Sequence, residues 1–130
     1  MRLLAALLIC LPVGAATYVD VPAGHIASVL ANDADPQPTP VAVFAMRETP
    51  VTNQEFLAFV KAQRAWQRGR AVATFADSSY LNNWRGPASL GAGVLPNQPV
   101  VSVSWFAAQA VCENEGSRLP TWAEWEYVAA

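Results

Sequence analysis

Three charged side chains lie close together in a tryptophan-rich segment near the carboxyl end: Arg118, Glu124 and Glu126. Two neighbouring carboxylates can act as a general acid and base. The alternative is structural, because a charge buried without a partner costs several kcal/mol. We therefore predict that the segment packs inward and that Arg118 pairs with a glutamate or donates to a backbone carbonyl. We favour this role because Thr121 and Glu124 also have the spacing of a helix capping box.

The tryptophans allow two interpretations. Trp105, Trp122 and Trp125 could form an aromatic binding wall, but tryptophans at this density more often supply the core, which is our prediction. Trp84 and Arg85 are the binding candidates, because they lie in a long loop and an arginine can bind a carboxylate or a peptide carbonyl. An arginine stacked on its own protein's tryptophan is the structural alternative for this pair.

Cysteine and histidine offer little chemistry. His25 is the sole histidine and has no Asp, Glu or Cys nearby, which argues against a metal site and a Ser-His-Asp triad. Cys112 would bind copper only beside a second soft ligand, and none is visible. We predict that Cys112 is a small packed hydrophobe and that this segment holds no metal.

Three helices are predicted to position these residues. A capping box at residues 52–55, from Thr52 to Glu55, begins the first, and Arg68-Gly69-Arg70 is expected to end it. Its apolar side would contain Phe56, Phe59, Val60, Gln63 and Trp66. Ser104 is the expected N-cap of a largely buried second helix over residues 105–115, with Gly116 after its end. The capping box at Thr121 begins the third.

Four strands are predicted, over residues 18–21, 41–46, 71–75 and 100–104. Between the last two, residues 77–99 read as a loop with its own aromatic side chains. A loop of this length is more often functional or tightly packed than slack.

Composition limits the class of protein. The chain has 130 residues, 53% hydrophobic and 14% charged, with a net charge of -2, which indicates one folded domain. We see no basic run or face in the sequence, so a nucleic-acid partner is not expected.

The first sixteen residues predict export. Arg2 precedes a short apolar run that ends at Gly14-Ala15-Ala16, as in a secretory signal peptide. The run is shorter than the roughly 20 apolar residues that span a bilayer, so no transmembrane span is expected. A buried N-terminal element and a lipoprotein signal at Cys10 are weaker alternatives. We assign 1–16 as signal peptide and 17–130 as the domain, in a periplasmic or secreted protein.

Four blocks resemble the formylglycine-generating-enzyme (sulfatase-modifying factor) family, in the family's order. The most specific contains Arg-Leu-Pro-Thr followed by Ala-Glu-Trp-Glu. The resemblance covers roughly residues 17–130 as the N-terminal part of such a domain. The blocks lie at residues 50–53, 83–86, 99–105 and 116–127, and we take as its structural motif Thr52, Asn53, Trp105, Arg118, Thr121, Glu124, Trp125 and Glu126.

The resemblance implies an α+β fold similar to C-type lectins, irregular and with little sheet. Members oxidise a sulfatase cysteine to formylglycine with copper and dioxygen, or act as iron-dependent sulfoxide synthases, and some bind calcium. It places the catalytic cysteines and the calcium ligands beyond Ala130, so no catalytic residue is assigned here. Trp122, Val111, Asn114 and Ala107 depart from the usual pattern and indicate a divergent member.

Two functions remain open at this stage. One is an exported oxidoreductase that modifies a protein or small thiol, with copper or iron, and calcium, in the complete domain. The other is a non-catalytic module that binds an exported enzyme or peptide during its maturation. A third expectation is that a gene ending at Ala130 would leave an inactive remnant that aggregates, because its last helix would lack partners.

Overall fold

The computed structural model describes residues 16–27 and 38–130. Within these ranges the chain is a mixed helix-and-strand structure with little sheet, as predicted. The expected signal peptide falls outside the described residues except for Ala16, and no described helix is long and apolar enough to cross a membrane. The elements are β1 (Tyr18–Val21), β2 (Gly24–Ile26), β3 (Thr39–Val41), β4 (Phe44–Arg47), α1 (Asn53–Ala62), a 3-10 helix (Arg64–Trp66), α2 (Trp105–Asn114) and α3 (Trp122–Ala129).

The strands form two short antiparallel pairs. β1 pairs with β4, with Tyr18 opposite Arg47, and β2 pairs with β3, with Gly24 opposite Val41. Pro22 separates the two pairs, because proline has no N–H to donate to a ladder. The predicted strand at 18–21 is confirmed, whereas the single strand predicted at 41–46 divides into the end of β3 and β4.

The α1 helix begins at the predicted capping box. The Thr52 hydroxyl accepts a hydrogen bond from Glu55 N at 3.3 Å, and the Glu55 carboxylate accepts one from Thr52 N at 2.7 Å. The helix ends at Ala62, earlier than predicted. The chain then forms the 3-10 helix and a turn in which Gly69 has φ of +76°. Such a positive φ favours glycine.

The core lies between α1, α2 and the loop at 77–99. Of the two alternatives for this loop, functional or tightly packed, the structure supports packing, because three of its side chains are buried against the helices. The buried cluster consists of Phe56, Phe59, Val60, Tyr80, Leu81, Trp84, Ala107 and Val111.

Two predicted strands are wrong. Residues 71–75 form turns, in which Phe75 N donates to Val72 O at 2.8 Å. Residues 100–104 form no strand, because Ser102 adopts a left-handed φ of +57° and its carbonyl accepts from Leu81 N at 2.7 Å. In these segments Ala71, Val100 and Val103 pack against the core, whereas Val72 and Val101 are exposed.

The predicted N-caps of α2 and α3 are confirmed, but the predicted burial of α2 is not. Ser104 caps α2 by accepting from Ala107 N at 3.1 Å, and Gly116 follows the helix with φ of +75°. The α2 helix was predicted to be largely buried, yet Trp105 is 64% and Phe106 is 43% exposed. Its inward face is narrow, because only Ala107 and Val111 are buried.

Candidate functional site

Arg47 joins four elements at one polar cluster. Its Nη2 donates to Glu55 Oε1 at 2.6 Å, and its Nη1 donates to Glu115 Oε1 at 3.3 Å. The Tyr18 hydroxyl donates to the other oxygen of Glu115, also at 3.3 Å. The cluster therefore connects β1 and β4 with the start of α1 and the end of α2, and the Arg47 side chain is only 12% exposed.

Glu55 remains ionised within this cluster. Its partial burial alone would raise the pKa, but hydrogen bonds from the backbone and hydroxyl of Thr52 and from the Arg47 guanidinium together lower it. Glu55 thus caps α1 and binds Arg47 with the same carboxylate. Sequence reasoning identified the cap and missed Arg47, because no local spacing connects that arginine with Glu115.

An open groove of about 720 Å³ lies beside the cluster, between α1 and the end of α2. Tyr18, Glu55, Lys61 and Glu115 form its polar edge. Both glutamates bind Arg47 as acceptors, so neither carboxylate in the groove is an unpaired base for proton transfer. Its apolar floor is formed by Leu57, Ala58, Phe59, Ala62 and Val111.

Cys112 lines a second, smaller cavity of about 170 Å³ whose other walls include Phe56, Val103 and Leu119. Burial, and then the charge of Glu115, raises the pKa of the thiol, which disfavours the thiolate that metals and electrophiles require. The half-buried position fits the prediction of a packed side chain.

The described residues do not fit a copper, iron or calcium site. In the ranges 16–27 and 38–130, no three His, Cys, Asp or Glu side chains are grouped as metal ligands. Cys112 supplies a thiol rather than a thiolate among apolar neighbours, and His25 lies on β2, in a different element. We therefore assign no metal-dependent step to these residues.

The α3 motif is a capped helix with an ion pair. Thr121 and Glu124 form the predicted capping box of α3. Arg118 donates to both Glu124 oxygens at 2.7 and 2.8 Å and to Leu119 O at 3.0 Å. The predicted pairing is confirmed. Its predicted burial is wrong, because the Arg118 side chain is 57% exposed. Glu126 makes no bond to Arg118, and its Oε2 is buried without a partner among the described residues.

Asn53 secures the first helix to the long loop. Its side-chain amide donates to Leu95 O at 2.9 Å, and its backbone N–H donates to Gln98 O at 2.9 Å. The residue is 3% exposed. Thr52 and Asn53 therefore both have structural contacts here, one within the helix cap and the other across to the loop.

Trp84 and Arg85, the predicted binding pair, separate in the structure. Trp84 is 2% exposed and packs edge-on against Phe56 with ring centroids 6.1 Å apart, so its predicted exposure is wrong. The Trp84 carbonyl accepts a hydrogen bond from Arg68. Arg85 is exposed, and its binding role stays a prediction.

Trp105, Trp122 and Trp125 are exposed by 64%, 49% and 60%. The prediction that they supply the core is wrong within the part of the chain that the structure describes. The α3 helix contacts β2 and β3, where Tyr127 covers Gly24 so closely that a Cβ atom has no room. The tryptophans project from faces that no described element covers.

Comparison with known proteins adds a family match. Residues 10–130 match the model of the sulfatase-modifying factor enzyme 1-like domain. A formylglycine-generating enzyme of Streptomyces coelicolor is 37% identical over 111 residues, which cover 66% of this chain and 35% of that protein.

Two further relatives bear different names. The inactive C-alpha-formylglycine-generating enzyme 2 of Bos taurus is 34% identical over 115 residues, covering 68% of this chain and 38% of its own. A hercynine oxygenase of Mycobacterium tuberculosis is 29% identical over 102 residues, which cover 69% of this chain and 24% of that protein. The chain thus spans between 24% and 38% of the length of these three relatives.

Proposed function

The chain belongs to the sulfatase-modifying factor enzyme 1-like domain family, and we propose that it forms the N-terminal part of an exported oxidoreductase. In this proposal the complete protein modifies a cysteine-containing protein or a small thiol. The described residues supply scaffold and binding surfaces rather than the reacting groups.

The observation that carries this proposal is the family match over residues 10–130. The relatives' names include a formylglycine-generating enzyme and a hercynine oxygenase, which supports oxidation as the class of reaction. We further propose an irregular, lectin-like architecture, because a long loop packs into the core here while the strands form only two short pairs.

Export and metal use belong to the same proposal. Residues 1–16 act as a signal peptide, and the mature protein is periplasmic or secreted. Copper or iron, and calcium, would be held by groups other than the described side chains, whose donors do not fit them. N-terminal sequencing of the protein recovered from outside the cytoplasm tests export, and a mature chain beginning at Thr17 is the expected result.

The activity is tested with the complete protein and two thiol substrates. A sulfatase-derived peptide with one cysteine should acquire an aldehyde, detected with a hydrazide probe and by mass spectrometry, while the matched serine peptide should not. A small thiol, assayed by dioxygen consumption, separates the two substrate classes. Lack of reaction with both thiols would contradict the proposed activity.

A second candidate function is a non-catalytic binding module. The observation that favours it is the Bos taurus relative named inactive, whose 34% identity is close to the 37% of the formylglycine-generating enzyme. This alternative predicts that the complete protein associates with an exported enzyme but oxidises neither thiol.

A further inference from the structure

Positive charge is concentrated in one part of the chain. Five of the eight basic residues lie between positions 61 and 85, where Asp77 is the sole acidic residue, so this stretch has a net charge of +4. The rest of the chain carries three basic and nine acidic residues. These residues follow no helical period, and they lie at the end of α1, in the 3-10 helix and in the turns and bends that follow it. They are Lys61, Arg64, Arg68, Arg70 and Arg85.

A chain of aromatic rings crosses the same region. Phe75 packs against Trp66 with centroids 6.3 Å apart and against Phe106 at 5.0 Å. Phe106 in turn packs edge-on against Trp105 at 5.4 Å. Phe75, Phe106 and Trp105 are exposed by 41%, 43% and 64%, so the rings form an apolar surface as well as packing on one another.

Arg64 and Arg70 lie close to Trp66 along a tightly folded segment of backbone. Arg64 and Trp66 share the 3-10 helix, so their Cα atoms are within about 7 Å. Arg70 N and Ala71 N both donate to Gln67 O, which folds Arg70 back towards that helix.

The loop adds a third arginine. Tyr80 OH donates to Trp66 O at 2.8 Å, and Arg68 donates to the carbonyl of Trp84, the residue before Arg85. Among the described residues, the ion pairs involve Arg47 and Arg118, and Arg64, Arg70 and Arg85 make none.

We propose that this Arg–aromatic surface, formed by Arg64, Arg70, Arg85, Phe75, Trp105 and Phe106, binds an acidic segment of a partner protein. Guanidinium groups pair with carboxylates in a bidentate manner, and the adjacent rings accept apolar side chains of the same segment. The surface combines three arginines with aromatic rings, and both residue types are enriched at protein interfaces. This inference concerns binding and does not depend on the proposed oxidation.

The test uses the full-length protein and a synthetic peptide that alternates glutamate with leucine, with fluorescence anisotropy as the readout. The peptide should bind, and binding should weaken as salt is raised, because exposed charges are screened. The double variant Arg64→Gln/Arg70→Gln should lose about tenfold in affinity, and Phe106→Ala a similar amount. A peptide that alternates glutamine with leucine should bind much more weakly.

The matched control compares two exposed arginines. Arg85→Gln should weaken binding about threefold, whereas Arg118→Gln, with the same change in net charge but outside the surface, should leave it unchanged. Thermal melting checks that each variant is folded. Equal losses for both single variants, no loss for the double variant, or binding to vesicles of anionic phospholipid in preference to the acidic peptide would each overturn the proposal.

Discussion

The guanidinium of Arg118 donates one hydrogen bond to each carboxylate oxygen of Glu124, at 2.8 and 2.7 Å. The same carboxylate accepts a hydrogen bond from the backbone N–H of Thr121 at 2.6 Å. One acidic group therefore caps α3 and holds the connector before it. The bond from Arg118 is the main cause that lowers the pKa of Glu124 to about 2, from an ordinary value of 4.5.

Replacing Arg118 with methionine tests the strength of this pair. Because the Arg118 side chain is 57% exposed, solvent screens the interaction, and we expect a loss of about 0.5 kcal/mol in the free energy of unfolding at neutral pH. Urea denaturation measures it, with Arg118→Lys as a control that keeps the charge. An unchanged midpoint in Arg118→Met would show that the pair contributes nothing to stability.

The same pair predicts an acid-dependent loss of stability. The pKa of Glu124 is lower in the folded chain than in the unfolded chain, so its contribution is fully present above about pH 4.5 and disappears as pH falls towards about 2. Arg118→Met should reduce this dependence, since it removes the main cause of the shift. Identical acid unfolding curves for the two proteins would contradict the assignment.

Arg47 should matter more than Arg118. Its side chain is only 12% exposed, and Arg47→Met would leave Glu55 and Glu115 without their shared cation, so we expect a loss of about 2 kcal/mol. Glu115→Gln should cost about 0.5 kcal/mol, because that contact is longer. Denaturant unfolding compares the two variants. A larger effect of Glu115→Gln would show that the cluster is not centred on Arg47.

Two tryptophans provide a matched test of the core. Trp84→Ala removes a fully buried ring that packs on Phe56 and should cost about 3–5 kcal/mol. Trp105→Ala removes a ring that is 64% exposed and should change stability by no more than about 0.5 kcal/mol. Thermal and denaturant unfolding measure both. A large loss from Trp105→Ala would show that another part of the protein covers this residue.

Tyr80 should make the fold sensitive to alkali. Burial raises the pKa of its hydroxyl to about 12, and this hydroxyl donates to Trp66 O at 2.8 Å. The contribution of the protonated Tyr80 hydroxyl to the free energy of unfolding is fully present below the ordinary pKa of 10 and is lost as pH rises towards about 12. Ultraviolet titration should show one late-titrating tyrosine that is missing in Tyr80→Phe. Ordinary titration of every tyrosine would contradict the burial of Tyr80.

The helix starts were readable in the sequence because each depends on residues three positions apart. Thr52 with Glu55 and Thr121 with Glu124 form capping boxes, and Ser104 caps α2, as their spacing indicates. These contacts form within a single turn of helix, so their geometry follows from local composition alone. The pairing of Arg118 with Glu124 was predicted from the cost of a buried unpaired charge, and it forms although the Arg118 side chain is 57% exposed.

Burial and long-range pairing needed the folded chain. Trp84 lies among polar residues of the sequence and Trp105 among apolar ones, yet Trp84 is 2% and Trp105 is 64% exposed. Arg47 meets Glu115 across 68 positions. The packing of helices, strands and loops decides whether a ring is buried and which carboxylate pairs with a cation. No local spacing encodes that arrangement.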